Sequence, residues 1–397
     1  MKNRPLQFLS TKKVMILFKK NWQKILFITA FIIHLSFYVS AFYTHWWDVL
    51  FENVTTGQDF FQIPNAAYSF LHGGNLRGEL PPGIKPYTSC CGVNGNVYHP
   101  LFTLLVGTPL QLFTPNTALK IWTFVHILIS AILLLFLWKK FANHKYLYLA
   151  LSLYLLNSYH YYEIKHAQYH FLLTFFTTLF LYESAIKGDT KRAGLWYFLS
   201  ILIKPIGFLW ILPLLIYKRF RTLTIGLGLY ALASIPFIIT PLGKYFFNNL
   251  GDNLNSQGPT YNLAAIVHFE KIPLVYIKIA SLFSAIFLLI FQIIKKSELY
   301  STIFLWVSFQ LIFYALVYPY HYSITAGLIC LGILLNQFSF KRNKILPLII
   351  LTLPTPILFL RWYGAPAVLT PQQFSGIALW SIFWLTLTCF QLNLKKY

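Results

Sequence analysis

Residues 25–43 read ILFITAFIIHLSFYVSAFY, an apolar run without a charged side chain, directly after a tail that carries Lys2, Arg4, Lys12, Lys13, Lys19, Lys20 and Lys24. As a helix the run is long enough to cross most of a hydrocarbon core of about 30 Å. The basic tail marks its near end as cytoplasmic. No cleavable signal is visible, so the run is expected to stay with the chain as its first span.

Working outward, further apolar runs fall at 117–138, 146–162, 169–186, 222–240, 273–294, 299–318, 322–338, 345–360 and 374–392. Two segments read either way: 99–113 is short for a span, and 193–217 carries Lys204-Pro205 at its middle. The composition agrees. Of 397 residues, 57% are hydrophobic and 11% charged, against roughly 45–50% and about 25% in soluble domains. That excludes a cytosolic globular enzyme, and 38 Phe, 26 Tyr and 11 Trp exclude disorder. The net charge of +22 sits in short clusters between apolar runs, which argues against nucleic acid as a partner. The fold class expected is an all-α polytopic membrane protein with about 10–12 transmembrane helices. A basic tail, 1–24, precedes a single membrane domain, 25–397, with membrane lipid around it.

Two threadings remain open. If all the basic clusters are inside, 99–113 dips without crossing and 193–217 is a hairpin of half-helices. If each crosses once, Lys139-Lys140 and Lys191-Arg192 lie outside. Both threadings put the long loop 44–98, the loop 241–272, the Tyr318–Tyr322 corner and the Arg361 loop on one extracytoplasmic face. Chemistry there cannot readily draw on a cytosolic nucleotide donor. No internal repeat is visible, and the early loop has no counterpart in the second half, which counts against the paired halves of many secondary transporters.

With 10 carboxylates in the chain, candidate bases can be counted. Asp48 and Glu52, beside Trp46-Trp47, read as the polar side of an interfacial helix. Asp59 precedes a stretch in which Pro64 suits a first helical turn, Ile63, Ala67, Phe70 and Leu71 form an apolar face, and His72-Gly73-Gly74 closes the helix. Such a helix lies at the membrane surface. Asp59 is then either a partly buried base or a carboxylate serving the helix start. Lys204, in an apolar run, costs about 2.5–3.5 kcal/mol to insert, so it either meets an anion in a polar cavity or snorkels. His321, between tyrosines, either binds a phosphate oxygen or bonds in the interface. Arg361 reads as an anchor, Glu163–Gln168 as a polar knot whose side depends on threading, and Asn53-Val54-Thr55 as a glycosylation sequon. Cys90 and Cys91 are either a vicinal disulfide or free thiols. No CxxC or acidic pair calls for a metal or a cofactor.

The order of these motifs resembles the GT-C glycosyltransferases, and among them the family-87 type, the polyprenyl-phosphate-mannose-dependent alpha-mannosyltransferases. The matching stretches are Asp59-Phe60, Ala66-Ala67, Leu71-His72-Gly73-Gly74, Tyr98-His99-Pro100-Leu101-Phe102, Ala167-Gln168, Lys204-Pro205 and Tyr320-His321-Tyr322. The family usually has Gly-Gln in place of Ala167-Gln168, Tyr-Pro-Pro in place of Tyr98-His99-Pro100, and a tyrosine pair near Ile63-Pro64. The resemblance implies an inverting hexosyl- or pentosyltransferase of the inner cell membrane, its active site extracytoplasmic. A sugar would pass from a polyprenyl-phosphate donor to a glycan or glycolipid acceptor. Asp59 falls on the family's catalytic base. His321 and then Lys204 are the candidates for the donor phosphate, and Tyr98, His99, Gln168 and Tyr322 for substrate contacts. A lipid-linked-glycan flippase, or an oligosaccharide polymerase or ligase, stands as the alternative.

The shared outer face has a direct test. With Cys90 and Cys91 replaced by serine, Asn75→Cys should react with an impermeant thiol reagent applied from the extracytoplasmic side. Reaction only from the cytoplasm would overturn the arrangement.

Overall fold

The computed structural model describes residues 11–43, 59–88, 96, 98–240, 273–295, 298–313, 317 and 319–338. The runs at 345–360 and 374–392, the loop 241–272, the Asp48 and Glu52 pair, the Asn53 sequon, Cys90, Cys91 and Arg361 lie outside them. Among the described residues every regular element is helical.

The first helix, α1 (Thr11–Tyr43), holds the 25–43 run and begins well inside the stretch expected to be a tail. Three helices are long and apolar enough to cross a membrane: Pro115–Lys140 (α4), Phe220–Ile238 (α10) and Val275–Ile294, the body of α11 (Leu274–Lys295). These are features of a membrane protein. The Thr114 side chain accepts from the Thr117 amide at the start of α4, Pro115 fills the first helical position, and Lys139 and Lys140 close the last turn. On α11, Val275, Ile279, Leu282, Ile286, Ile290 and Ile293 are all exposed. Their spacing of three and four marks one apolar stripe facing outward, as lipid contact requires.

The described residues thus contain three such helices where about 10–12 spans were expected. Two of the expected runs, 345–360 and 374–392, lie outside the described residues, and within them the run at 146–162 is broken locally. The run at 146–162 is cut into α5 (Leu147–Leu155) and α6 (Ser158–His166), whereas the run at 169–186 is α7 (His170–Tyr182) continued by a π-helical turn over Glu183–Lys187. Asn157 starts α6 by accepting from the Tyr159 amide at 3.0 Å, and Ala167 ends it in the left-handed region, φ 49. The 193–217 run breaks where its sequence suggests: α8 (Lys191–Ile203) stops at Lys204, a 3-10 turn follows over Pro205–Trp210, and α9 is Ile211–Ile216. Proline drives its preceding residue into extended backbone, and Lys204 has φ −144 and ψ 138. After α12 (Leu299–Phe313), a 3-10 turn at Pro319–Ser323 leads into α13 (Ile324–Leu334). Each residue of α13 is buried, so this helix lies at the centre, packed on α5 and α7.

Two contacts set the site's frame. The helix α2 (Gln62–Leu71) lies on α3 (Pro100–Leu110) where Gly107 leaves room: a Cβ there would stand 2.6 Å from the Ile63 carbonyl oxygen and 2.6 Å from Ala67 Cβ. Of the apolar face expected on α2, Ile63 and Ala67 are buried, Phe70 is half-buried and Leu71 is exposed. Elsewhere α8 and α10 approach closely, Gly226 against the Tyr197 ring and Gly194 against Ile225, with 2.7 Å to a Cβ built on Gly194.

The start of α10 is held from outside. Asp189 accepts from the Thr222 amide and hydroxyl, each at 2.7 Å, and from the Arg221 amide at 2.9 Å. Desolvation works to raise this carboxyl, but the bonds from Thr222 and Arg221 and the Arg219 charge together hold it below the usual carboxylate range. Asp189→Asn should therefore cost about 1 kcal/mol in thermal or denaturant unfolding at neutral pH. A lowered carboxyl contributes stability that is present above its unfolded value, near 3.9, and is lost as pH falls through the lowered one. The gap between wild type and variant should narrow below about pH 4.

Candidate active site

Asp59 lies in the turn that precedes α2. That helix is capped by Phe61 and receives no side-chain cap, so the helix-start role is not the one Asp59 plays. Its carboxylate faces the end of α6: Oδ2 is 3.7 Å from His166 Nδ1, and Oδ1 accepts from Gln62 Nε2 at 3.4 Å. Both Asp59 and His166 keep partial exposure, 18% and 19%, so a solute can reach the pair.

Lys204 stands at the break after α8, and its ammonium points inward. Nζ is 3.1 Å from His321 Nε2 and 5.5 Å from the centre of the Tyr98 ring. A protonated lysine donates here to the Nε2 lone pair of a neutral imidazole, and the ring face of Tyr98 adds a cation–π contact. Asp59 and Glu163 both lie close enough to act electrostatically on Lys204. Tyr98 in turn donates to Gln168 Oε1 at 2.7 Å. Its backbone is placed by Asn96, which accepts from the Tyr98 amide and donates to the Leu76 carbonyl and Thr103.

Five of the residues singled out from sequence therefore come together: Asp59, Tyr98, Gln168, Lys204 and His321. Two do not join them. His99 caps α3, accepting from the Leu101 amide at 3.1 Å, and its Nε2 meets Ser234 Oγ of α10 at 2.9 Å. Tyr322 is fully buried against Tyr159, ring centres 5.0 Å apart.

Other residues complete the pocket and had no motif to reveal them. His166 bridges Asp59 to the Tyr320 ring, 5.8 Å away. His170 stands edge-on to His321 at 4.6 Å. Tyr169 is the anchor: its hydroxyl donates to the Phe60 carbonyl at 2.7 Å, and its ring lies 4.6 Å from Trp122, 5.1 Å from Tyr98, 5.7 Å from Phe102 and 6.4 Å from Phe60. The hydroxyl thereby fixes the backbone next to Asp59. In sequence His166 belongs to the polar knot Glu163–Gln168, while Tyr169 only opens the apolar run that follows it.

The arrangement sets an accessible carboxylate beside a lysine–histidine pair at the meeting point of helix ends. It can accept a proton on one side and hold an anion on the other. Among the described residues the histidine and carboxylate group spaced for a metal ion lies elsewhere, at His126, His160 and Glu163. No known protein family and no curated protein matches the chain.

Tyr169→Phe keeps the ring contacts and removes one hydrogen bond to a carbonyl that also accepts from the Ile63 amide. It should lower unfolding stability by about 1 kcal/mol. Tyr169→Ala, which empties the aromatic cluster, should cost about 3–5 kcal/mol. Equal losses in the two variants would show that the ring contributes nothing beyond its hydroxyl.

Proposed function

We propose that this chain is a GT-C-type glycosyltransferase that moves a sugar from a polyprenyl-phosphate donor to a hydroxyl of a glycan or glycolipid on the extracytoplasmic side of the cell membrane. The observation that carries the reading is the Lys204–His321 contact, 3.1 Å between residues 117 apart in sequence, in the same pocket as Asp59. The family-87 resemblance named these three residues from motif order alone. A second observation supports it: φ is positive at Ala167, the position where the family pattern has glycine.

The chemistry follows from the geometry. Asp59 removes the proton from the acceptor hydroxyl as that oxygen attacks the anomeric carbon. The carbon–oxygen bond to phosphate breaks on the opposite face, so the configuration inverts. The phosphate leaves on its lipid carrier, and its developing charge is held by Lys204 and His321. Tyr98 and Gln168 would orient the sugar or its phosphate. His166, 3.7 Å from the base, would keep Asp59 aimed. A second carboxylate nucleophile is not needed for inversion. The 10–12-span arrangement belongs to this reading and rests on the apolar runs of the sequence, while the bacterial inner membrane and the preference for mannose rest on the resemblance.

Transfer of labelled sugar from a polyprenyl-phosphate donor, in membranes holding the full chain, is the test. Asp59→Asn should lower turnover by about 10²–10⁴ while donor binding persists. Lys204→Met and His321→Ala should weaken donor use by roughly 1.5–3 kcal/mol each, the worth of a charge-assisted contact. Asp189→Asn serves as a remote control. Near-normal transfer by Asp59→Asn would displace the base. Loss of donor binding with no transfer by any protein, wild type included, would favour the flippase alternative.

A further inference from the structure

Where α4 meets α6, three buried ligating side chains converge. His160 and Glu163 are one helical turn apart on α6, with His160 Nδ1 3.6 Å from Glu163 Oε2, and His126 reaches them from the middle of α4. The ligand atoms of all three lie within 4.8 Å of one another. Their exposures are 2% for His126 and 0% for His160 and Glu163. His126 Nε2, both ring nitrogens of His160 and both oxygens of Glu163 make no hydrogen bond of ordinary geometry. The Ser323 hydroxyl and the Phe171 amide lie against Glu163, and Lys204 feels its charge. Around the group, His126 stacks on Phe171 at 4.2 Å, and Tyr38 and His34 of α1 form the far wall.

Such a group is expensive to bury as it stands. Each donor or acceptor removed from water without a partner costs about 1–3 kcal/mol, and His126 Nε2 and both His160 nitrogens are such atoms here. A cation satisfies several of them at once. We propose that His126, His160 and Glu163 bind a divalent transition-metal ion, zinc fitting the donor set best, and that the ion pins α6 to α4. Two imidazoles and one carboxylate are the ligands of a borderline metal, whereas calcium and magnesium want oxygen. Bonds of about 2.0–2.2 Å need only a small inward shift from the present spacing. Glu163 offsets half of the ion's charge. The mechanical effect falls on the transfer site, because α6 ends at His166, which meets Asp59. The metal proposal stands on its own geometry and not on the reaction proposed above.

The test reads metal content and ligand field, neither of which depends on sugar transfer. The full chain, purified in detergent, is equilibrated with zinc, dialysed, and assayed by plasma mass spectrometry; one zinc per chain is expected. Glu163→Gln, His160→Ala and His126→Ala should each lower zinc affinity by about tenfold or more. His72→Ala, an exposed histidine on the outer loop, should leave it unchanged. Cobalt(II) provides the second measurement: the wild type should show the intense visible bands of a low-coordinate site, and Glu163→Gln should lose them while keeping its helical circular dichroism. Zinc retained equally by all variants, or cobalt showing only the weak spectrum of the hydrated ion, overturns the proposal. So does a wild type that holds no zinc after dialysis.

Discussion

In an apolar medium a helix cannot stop without leaving amides and carbonyls that have no water to bond. In this protein the breaks after α5, α6 and α8 are each repaired locally. The Asn157 side chain receives the Tyr159 amide, the Ala167 and Gln168 amides return to Ile164 and Glu163 carbonyls, and the Lys204 amide returns to Ser200. What the repairs leave over are side chains. Gln168, Lys204 and His321 belong to separate breaks, yet they meet at Tyr98 and at one another. Irregular backbone is tolerable at such depth only where it is enclosed by protein or borders a polar cavity. The requirement that confines the breaks therefore also gathers the polar chemistry.

An aromatic cluster gives that cavity its rigidity. Tyr169 joins Phe60, Tyr98, Phe102 and Trp122 by ring contact and holds the Phe60 carbonyl by its hydroxyl. Ring pairs of this kind are worth about 0.5–1.5 kcal/mol each beyond buried area. Through them the turn that carries Asp59 is tied to the helix that starts at His170. A carboxylate on a loose loop would sample many positions, and here its neighbouring peptide is bonded directly to the core.

The sequence was legible where a residue's cost was local. Lys204-Pro205 announced both a break and a charge set inside an apolar run, and both are present. Asp59 ahead of Pro64 announced a short helix in the outer loop, and it spans Gln62–Leu71. Other helix ends were harder to read. The breaks on either side of α6 are set by Asn157 as a cap and by Ala167, an alanine held at φ 49. Alanine has no intrinsic preference for that conformation, so nothing local foretold it. The metal-spaced group was hidden too, since His126 lies 34 positions before His160 in an unremarkable apolar run. The bonds of His99 were equally illegible: beside a tyrosine and a proline, nothing in the sequence indicated that its ring accepts from the Leu101 amide and meets Ser234.

The pairing of α8 with α10 differs in kind from the aromatic cluster. Gly194 and Gly226 let the two backbones approach until Ile225 and the Tyr197 ring fill the gap. Close contact of this sort draws its stability from dispersion, because acyl chains offer helices no hydrophobic incentive to associate. The platform beneath Lys204 is thus nearly indifferent to whether it is bathed in lipid or in detergent. The outer helix α2 and the rings around Tyr169 depend more on excluding water. A change of amphiphile that lets water into the headgroup region would loosen the acid-bearing half of the pocket while its cationic half kept its shape.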